Sequence, residues 1–173
     1  MKRCFVVVDY QNDFVNGVLG FEDAVKIEDN ICDLIKKHRN QNDDILFTFD
    51  THFENYLDTS EGRFLPVKHC VKDSYGHKLY GKVNDLLLDT DKVFNKLTFG
   101  SHELLNYLLE KGYDEVYLCG VVTNICVISN AVVAKTALPE ARICVYKDAC
   151  ASFDLEMEAK SYDIMKNLNI EVI

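Results

Sequence analysis

Residues 4–10 read CFVVVDY, an unalternated run (Phe5-Val6-Val7-Val8) that ends in an aspartate, Asp9. A strand with one solvated face alternates polar and apolar residues, whereas an unbroken β-branched run suits a strand covered on both faces, as in parallel sheets. Similar runs follow at Ile45-Leu46-Phe47-Thr48-Phe49, Val116-Tyr117-Leu118-Cys119 and Ile143-Cys144-Val145-Tyr146, with weaker ones at Lys92-Val93-Phe94 and Ile170-Glu171-Val172. Between them, Ile27, Ile31, Leu34, Ile35 and His38 recur at helical spacing, as do Leu104, Leu105, Leu108 and Leu109 between a Ser101 cap and a Gly112 stop. Leu155, Ala159, Tyr162 and Met165 define a further amphipathic helix after Ser152. Ile125 to Ala137 is apolar nearly all round, which predicts the most deeply buried helix. This alternation predicts an α/β three-layer sandwich: a six-stranded, mostly parallel sheet flanked by helices, in one domain spanning 1–173.

The composition narrows the function. Nineteen Lys and Arg against 28 Asp and Glu give a formal charge of -9, with the basic residues scattered. No positive stripe is available for a nucleic-acid backbone. The seven cysteines include no CxxC pair and fall partly inside apolar runs, which suits a reducing compartment. The N-terminus lacks a signal-peptide pattern and no apolar run approaches a membrane span, so the chain reads as cytoplasmic. Small exposed helices could mediate association into a homo-oligomer.

Open parallel sheets bind ligands beyond the carboxyl ends of their strands. Polar residues gather there: Asp9 after the first run, Asp50 and His52 after the second, Lys96 after the weak run at 92–94, and Gly120 through Cys126 after Cys119. The long segment from Thr51 to Asp91 is expected to cover this edge as loops and short elements, bringing Glu61 and His69. In GVVTNICVISNAV, Thr123 is a natural N-cap and Cys126 falls in the first turn of the buried helix. A helix N-terminus favours a thiolate, and its N–H groups can face the oxygen of a tetrahedral intermediate. With Lys96 supplying a cation and Asp9 shuttling a proton, the set can perform acyl transfer without histidine. Taken singly, each has an ordinary reading as well: Cys126 as a small core residue, Asp9 as a turn cap, Lys96 as a solvated cation.

Asp50 and His52 lie two apart, on one side of an extended chain, and Glu61 with His69 could complete a site of two nitrogens and two carboxylates. That donor set suits one divalent metal ion, zinc foremost, with iron or manganese as alternatives. A DTH triplet is also ordinary in a loop, and His69 could be structural.

VDYQNDF (Val8 to Phe14), DTH (Asp50 to His52), EGRFLPVKHC (Glu61 to Cys70), Asn95-Lys96 with Phe99, and GVVTNICV (Gly120 to Val127) together resemble the isochorismatase-like cysteine hydrolases, and among them the bacterial nicotinamidases and pyrazinamidases. The resemblance implies Asp9, Lys96 and Cys126 as the catalytic set and Asp50, His52 and His69 as metal ligands. Glu61 is implied as the fourth ligand, since Tyr56 stands where some relatives have a further histidine. It also implies a cis peptide at Val121-Val122, an oxyanion hole from the N–H groups of Val122 and Cys126, and ring contacts from Phe14 and Phe99. Where an aromatic residue would precede Pro66 the chain has Leu65, which leaves Leu65 and Phe64 as alternatives for the third wall. The implied reaction converts nicotinamide to nicotinate and ammonia through a cysteine thioester, as in NAD salvage. The alternatives are a related cysteine amidohydrolase acting on another small amide or carbamoyl compound, or a non-catalytic binding protein that keeps the fold.

Overall fold

Five consecutive buried residues, Cys4 to Val8, place β1 (Arg3–Val8) in the middle of the sheet. A computed structural model describes residues 1–173. The other strands are β2 (Asp44–Asp50), β3 (Lys92–Lys96), β4 (Glu115–Val121), β5 (Arg142–Ala151) and β6 (Glu171–Val172). They form one six-stranded sheet in the order β3-β2-β1-β4-β5-β6, with every pairing parallel. The two weakest runs in the sequence are its two edges, where a strand has one neighbour and needs fewer apolar residues.

Eight helices accompany the sheet: α1 (Asn12–Val15), α2 (Glu22–Lys26), α3 (Glu28–Asn40), α4 (Ser60–Phe64), α5 (Gly81–Asp85), α6 (His102–Lys111), α7 (Ile128–Ala137) and α8 (Leu155–Asn167). The expected caps on α6 are present: Ser101 Oγ accepts from the Leu104 N–H at 3.1 Å, and Gly112 closes the helix at φ 63°. On α8, which follows Ser152 as expected, Asp154 caps the helix by accepting from the Met157 N–H, and Ser152 Oγ accepts from the Asp154 N–H. No helix is long and apolar enough to cross a membrane.

Two stretches depart from the pattern of the sequence. Strand β5 runs well past Tyr146, because a register shift opposite Leu118 to Gly120 lets Lys147 and Asp148 face solvent before the ladder resumes at Cys150. The turn into α7 is also different. Thr123 does not cap the helix; its hydroxyl donates to Glu158 Oε1 at 2.7 Å, and residues Thr123–Val127 form a π-helical turn that no side chain caps. Such turns are uncommon and gather at functional sites. Between Thr123 and Ala137 only Val132 and Thr136 are exposed, as the apolar pattern predicts.

The order reverses direction between β1 and β4, the switch point where such sheets open a crevice at their carboxyl ends. Gly120 makes the close approach there possible. It holds φ 120°, and a Cβ would stand 2.0 Å from the Val8 carbonyl oxygen, so β4 can run against the end of β1 only with glycine at this position.

Candidate functional site

Asp9 leaves β1 at φ 47°, a left-handed conformation that a short polar side chain tolerates, and lies fully buried. Thr48 on β2 donates its hydroxyl to Asp9 Oδ1 at 2.7 Å. Lys96, the last residue of β3, places Nζ 2.6 Å from Asp9 Oδ2, 3.3 Å from Asp50 Oδ1 and 3.6 Å from Cys126 Sγ, and donates to the Thr98 carbonyl at 3.0 Å. Strands β1 and β3 and the turn after β4 therefore bring Asp9, Lys96 and Cys126 together. The peptide bond between Val121 and Val122 is cis, as the resemblance implies.

The charges in this cluster are tuned mainly by burial. Cys126 is 5% exposed, and burial pushes its thiol well above the ordinary range although the Lys96 ammonium pulls it down; the Asp9 carboxylate pushes it further up. Burial also raises the Asp9 carboxyl, against the downward pull of Lys96. Lys96 holds its proton firmly, because Asp9, Cys126 and Asp50 together outweigh the cost of burying it. Burial and Asp9 thus work against the preformed thiolate that a helix N-terminus suggests, and the Lys96 ammonium works in its favour.

Asp50, His52, Glu61 and His69 also converge. Asp50 Oδ2 lies 2.9 Å from His52 Nε2 and 3.3 Å from His69 Nε2, and Glu61 Oε1 lies 3.7 Å from each of those nitrogens. One donor atom from each of the four falls within 4.8 Å of the others. A tetrahedral ion with bonds of about 2.0–2.2 Å holds its donors roughly 3.3–3.6 Å apart, so the spacing fits a divalent metal. The surroundings orient the donors. His69 Nδ1–H donates to the Val67 carbonyl at 2.7 Å, which leaves Nε2 with its lone pair toward the cluster. Gln11 clamps the Asp50 backbone, donating to its carbonyl at 2.9 Å and accepting from its N–H at 2.8 Å. Burial would raise the Asp50 carboxyl, but His52, His69 and Lys96 outweigh it and hold it well below the usual carboxylate range. Burial and the charge of Asp50 raise the Glu61 carboxyl, against the downward pull of His52, His69 and Lys96.

Both clusters open into one cavity of about 330 Å³. Phe14, Leu65, Phe99 and Val122 all line it with Cys126, Asp50, Glu61 and His69. Leu65 rather than Phe64 supplies the wall: Phe64 is 90% exposed and faces an outer groove. Further walls that sequence reasoning missed are Leu19, Phe21, Ile125 and Phe153, brought in by the loops before α2, α7 and α8. Asn130 was also missed. Buried within α7, it donates to the carbonyls of Cys126 at 2.8 Å and Phe99 at 3.0 Å and accepts from the Ser101 N–H at 3.0 Å, tying the cysteine to a cavity wall. An amide side chain on the buried face of this mostly apolar helix was the available signal.

Residues 3–173 match the family described as Isochorismatase domain. An uncharacterized isochorismatase family protein, PncA, of Bacillus subtilis strain 168 is 34% identical over 170 residues, covering 92% of this chain and 91% of that protein. Among solved structures, the nicotinamidase/pyrazinamidase PncA from Bacillus subtilis superposes with a TM-score of 0.89 at 28% identity, covering 99% of each chain. The pyrazinamidase of Pyrococcus horikoshii, solved in complex with zinc, gives a TM-score of 0.87 at 25% identity, covering 100% of this chain and 99% of that one.

Proposed function

Because the chain belongs to the isochorismatase family, we propose that it is a nicotinamidase, hydrolysing the carboxamide of nicotinamide to nicotinate and ammonia. The observation that carries this reading is the shared cavity: a buried cysteine beside an acid and a lysine opens onto the same space as a four-donor cluster. The ring nitrogen of nicotinamide offers a metal held by such a cluster a lone pair to bind, which an aliphatic amide lacks.

In the first half-reaction the Cys126 sulfur attacks the amide carbon as the thiol proton passes to Asp9. Burial favours keeping the proton on sulfur, so this transfer frees the nucleophile, and Asp9 is the group placed to accept the proton. The oxygen that gains charge is received by the backbone N–H groups of Val122 and Cys126. Collapse breaks the carbon–nitrogen bond, and the proton held by Asp9 leaves with the nitrogen as ammonia. Asp9, ionised again, then takes a proton from water as the hydroxide attacks the thioester. The adduct collapses with cleavage of the carbon–sulfur bond, the proton on Asp9 returns to sulfur, and the acid product loses its own proton to solvent and departs as nicotinate. Lys96 keeps its charge throughout and balances Asp9, Asp50 and the sulfur in turn. Phe14, Leu65 and Phe99 enclose the flat ring and keep bulk water away from the thioester. A divalent metal, zinc foremost, would be held by Asp50, His52, Glu61 and His69 and would supply an electrophilic docking point for the ring nitrogen.

Ammonia release from purified protein tests this directly, with nicotinamide beside pyrazinamide and a panel of small aliphatic amides, and metal content measured on the same sample. Nicotinamide turnover well above the aliphatic amides, with about one metal per chain, is expected. Equal or better turnover of the aliphatic amides would overturn the substrate assignment.

A further inference from the structure

Tyr56 is completely buried although it sits in the irregular segment over the sheet edge, and each part of it touches a different piece of the site. Its ring stands edge-on to both imidazoles of the donor cluster, with centroids 4.6 Å from His52 and 5.0 Å from His69 and interplanar angles of 62° and 75°. Its hydroxyl donates to the carbonyl of Leu65 at 2.9 Å, the residue that walls the cavity. Its own carbonyl accepts from the Thr59 hydroxyl at 2.6 Å and from the Thr59 N–H at 2.9 Å. Thr59 caps α4, the short helix that carries Glu61. Gly62 packs so closely on the Tyr56 carbonyl that a Cβ there would stand 2.1 Å from its oxygen.

We propose that Tyr56 is a positioning residue whose ring sets the two histidines for metal binding and whose hydroxyl sets Leu65 for substrate binding. This rests on the metal-docked reading of the site. The two functions sit on different atoms and can be separated. An imidazole free to rotate about its side-chain bonds loses entropy on binding an ion, and the edge of the Tyr56 ring removes that freedom for His52 and His69 beforehand. The carbonyl of Leu65 closes the stretch from Tyr56 to Leu65 into a short loop, so losing the hydrogen bond frees the end of α4 and the cavity wall without disturbing the ring.

Two variants carry the test. Tyr56→Phe keeps the ring and removes only the hydroxyl; Tyr56→Leu removes the ring. Zinc affinity is measured by competition with a chromogenic chelator, apart from any assay of turnover, and KM and kcat for nicotinamide are measured on zinc-loaded protein. For Tyr56→Phe we expect zinc affinity within about threefold of the parent, an unchanged kcat and a KM raised severalfold. For Tyr56→Leu we expect zinc affinity lowered by about tenfold or more, the scale on which groups supporting a metal's ligands act. Folded Tyr56→Leu protein that binds zinc as the parent does would overturn the ring's role, and an unchanged KM in Tyr56→Phe would overturn the hydroxyl's. If Tyr56→Leu does not fold, Tyr56→Met, which fills similar space without an aromatic edge, takes its place, and zinc affinity equal to the parent's in it would overturn the ring's role. Failure of the nicotinamidase reading shows separately, as absent turnover in the parent with zinc affinity intact.

Discussion

The ammonium of Lys96 lies 3.3 Å from Asp50 Oδ1, so one buried charge joins the cysteine cluster to the donor cluster. Asp50 turns its other oxygen to His52 and His69, and Lys96 reaches on to Asp9 and Cys126. Asp50 is thus the one donor of the four that also neutralises the nucleophile's lysine. Removing one partner of such a buried pair leaves the other uncompensated, which is costly.

Asp50→Asn and His52→Ala should therefore fail differently. His52→Ala removes a donor only; metal content should fall and KM should rise, while kcat on saturating substrate changes little. Asp50→Asn should lower metal content and kcat together, the latter by about tenfold or more, with a lower melting temperature. Elemental analysis, steady-state kinetics and thermal melts on the two proteins check this. A fully metal-replete His52→Ala would remove His52 from the site, and equal kcat in both variants would show that the Lys96 contact has no consequence for turnover.

Replacing the sulfur should remove the chemistry and spare the fold. Cys126→Ala deletes one small buried atom, at a cost of about 1 kcal/mol, yet should lower kcat by about three orders of magnitude or more. Thermal melting and a sensitive ammonia assay separate the two effects. Residual turnover of a few per cent would exclude an obligatory thioester.

The buried thiol gives a pH signature. Burial and Asp9 hold the Cys126 thiol above that of a free cysteine, so at any given pH its thiolate fraction is smaller. Alkylation by iodoacetamide should be slow at neutral pH and still be rising beyond about pH 9, with no plateau below it. All seven cysteines are buried, and Cys126→Ala supplies the blank for the other six. Turnover should also fall as pH drops, but over a lower range: Asp9 must be ionised to take the proton, and burial raises its carboxyl, so the midpoint of kcat/KM should lie above the ordinary carboxylate range. An alkylation plateau near pH 7 would indicate a preformed thiolate and remove the need for Asp9 as base.

The centre of the sheet was legible because β1, β2 and β4 are covered on both faces and are written as unbroken apolar runs. The positions of Asp9 and Asp50 followed from the ends of these runs, that of Lys96 from the weaker run of β3, and that of Cys126 from the turn after β4. What was hidden depends on partners distant in the chain. Thr123 looks like a cap until Glu158, thirty-five residues on, takes its hydroxyl. The polar pair Lys147 and Asp148 looks like a strand end until the shifted register lets β5 continue past it. Tyr56 and Asn130 act through main-chain carbonyls, and no local pattern reveals which carbonyl a buried polar side chain will meet.

Whether Leu65 or Phe64 meets the substrate was equally beyond local pattern, since the two are adjacent at the end of α4 and only one can face inward. The hydrogen bond from Tyr56 to the Leu65 carbonyl fixes the backbone there, with Leu65 in the cavity wall and Phe64 90% exposed. Leu65→Ala should therefore raise the KM for nicotinamide about fivefold or more, as expected for losing about 1 kcal/mol or more of apolar contact with a ring. Phe64→Ser should leave KM within twofold, because its phenyl group touches solvent and the outer groove rather than the cavity. Zinc content should match the parent in both, since neither side chain is a donor. An equal rise in KM for the two variants would place the phenyl group of Phe64 against the bound ring and assign it the wall that Leu65 occupies here.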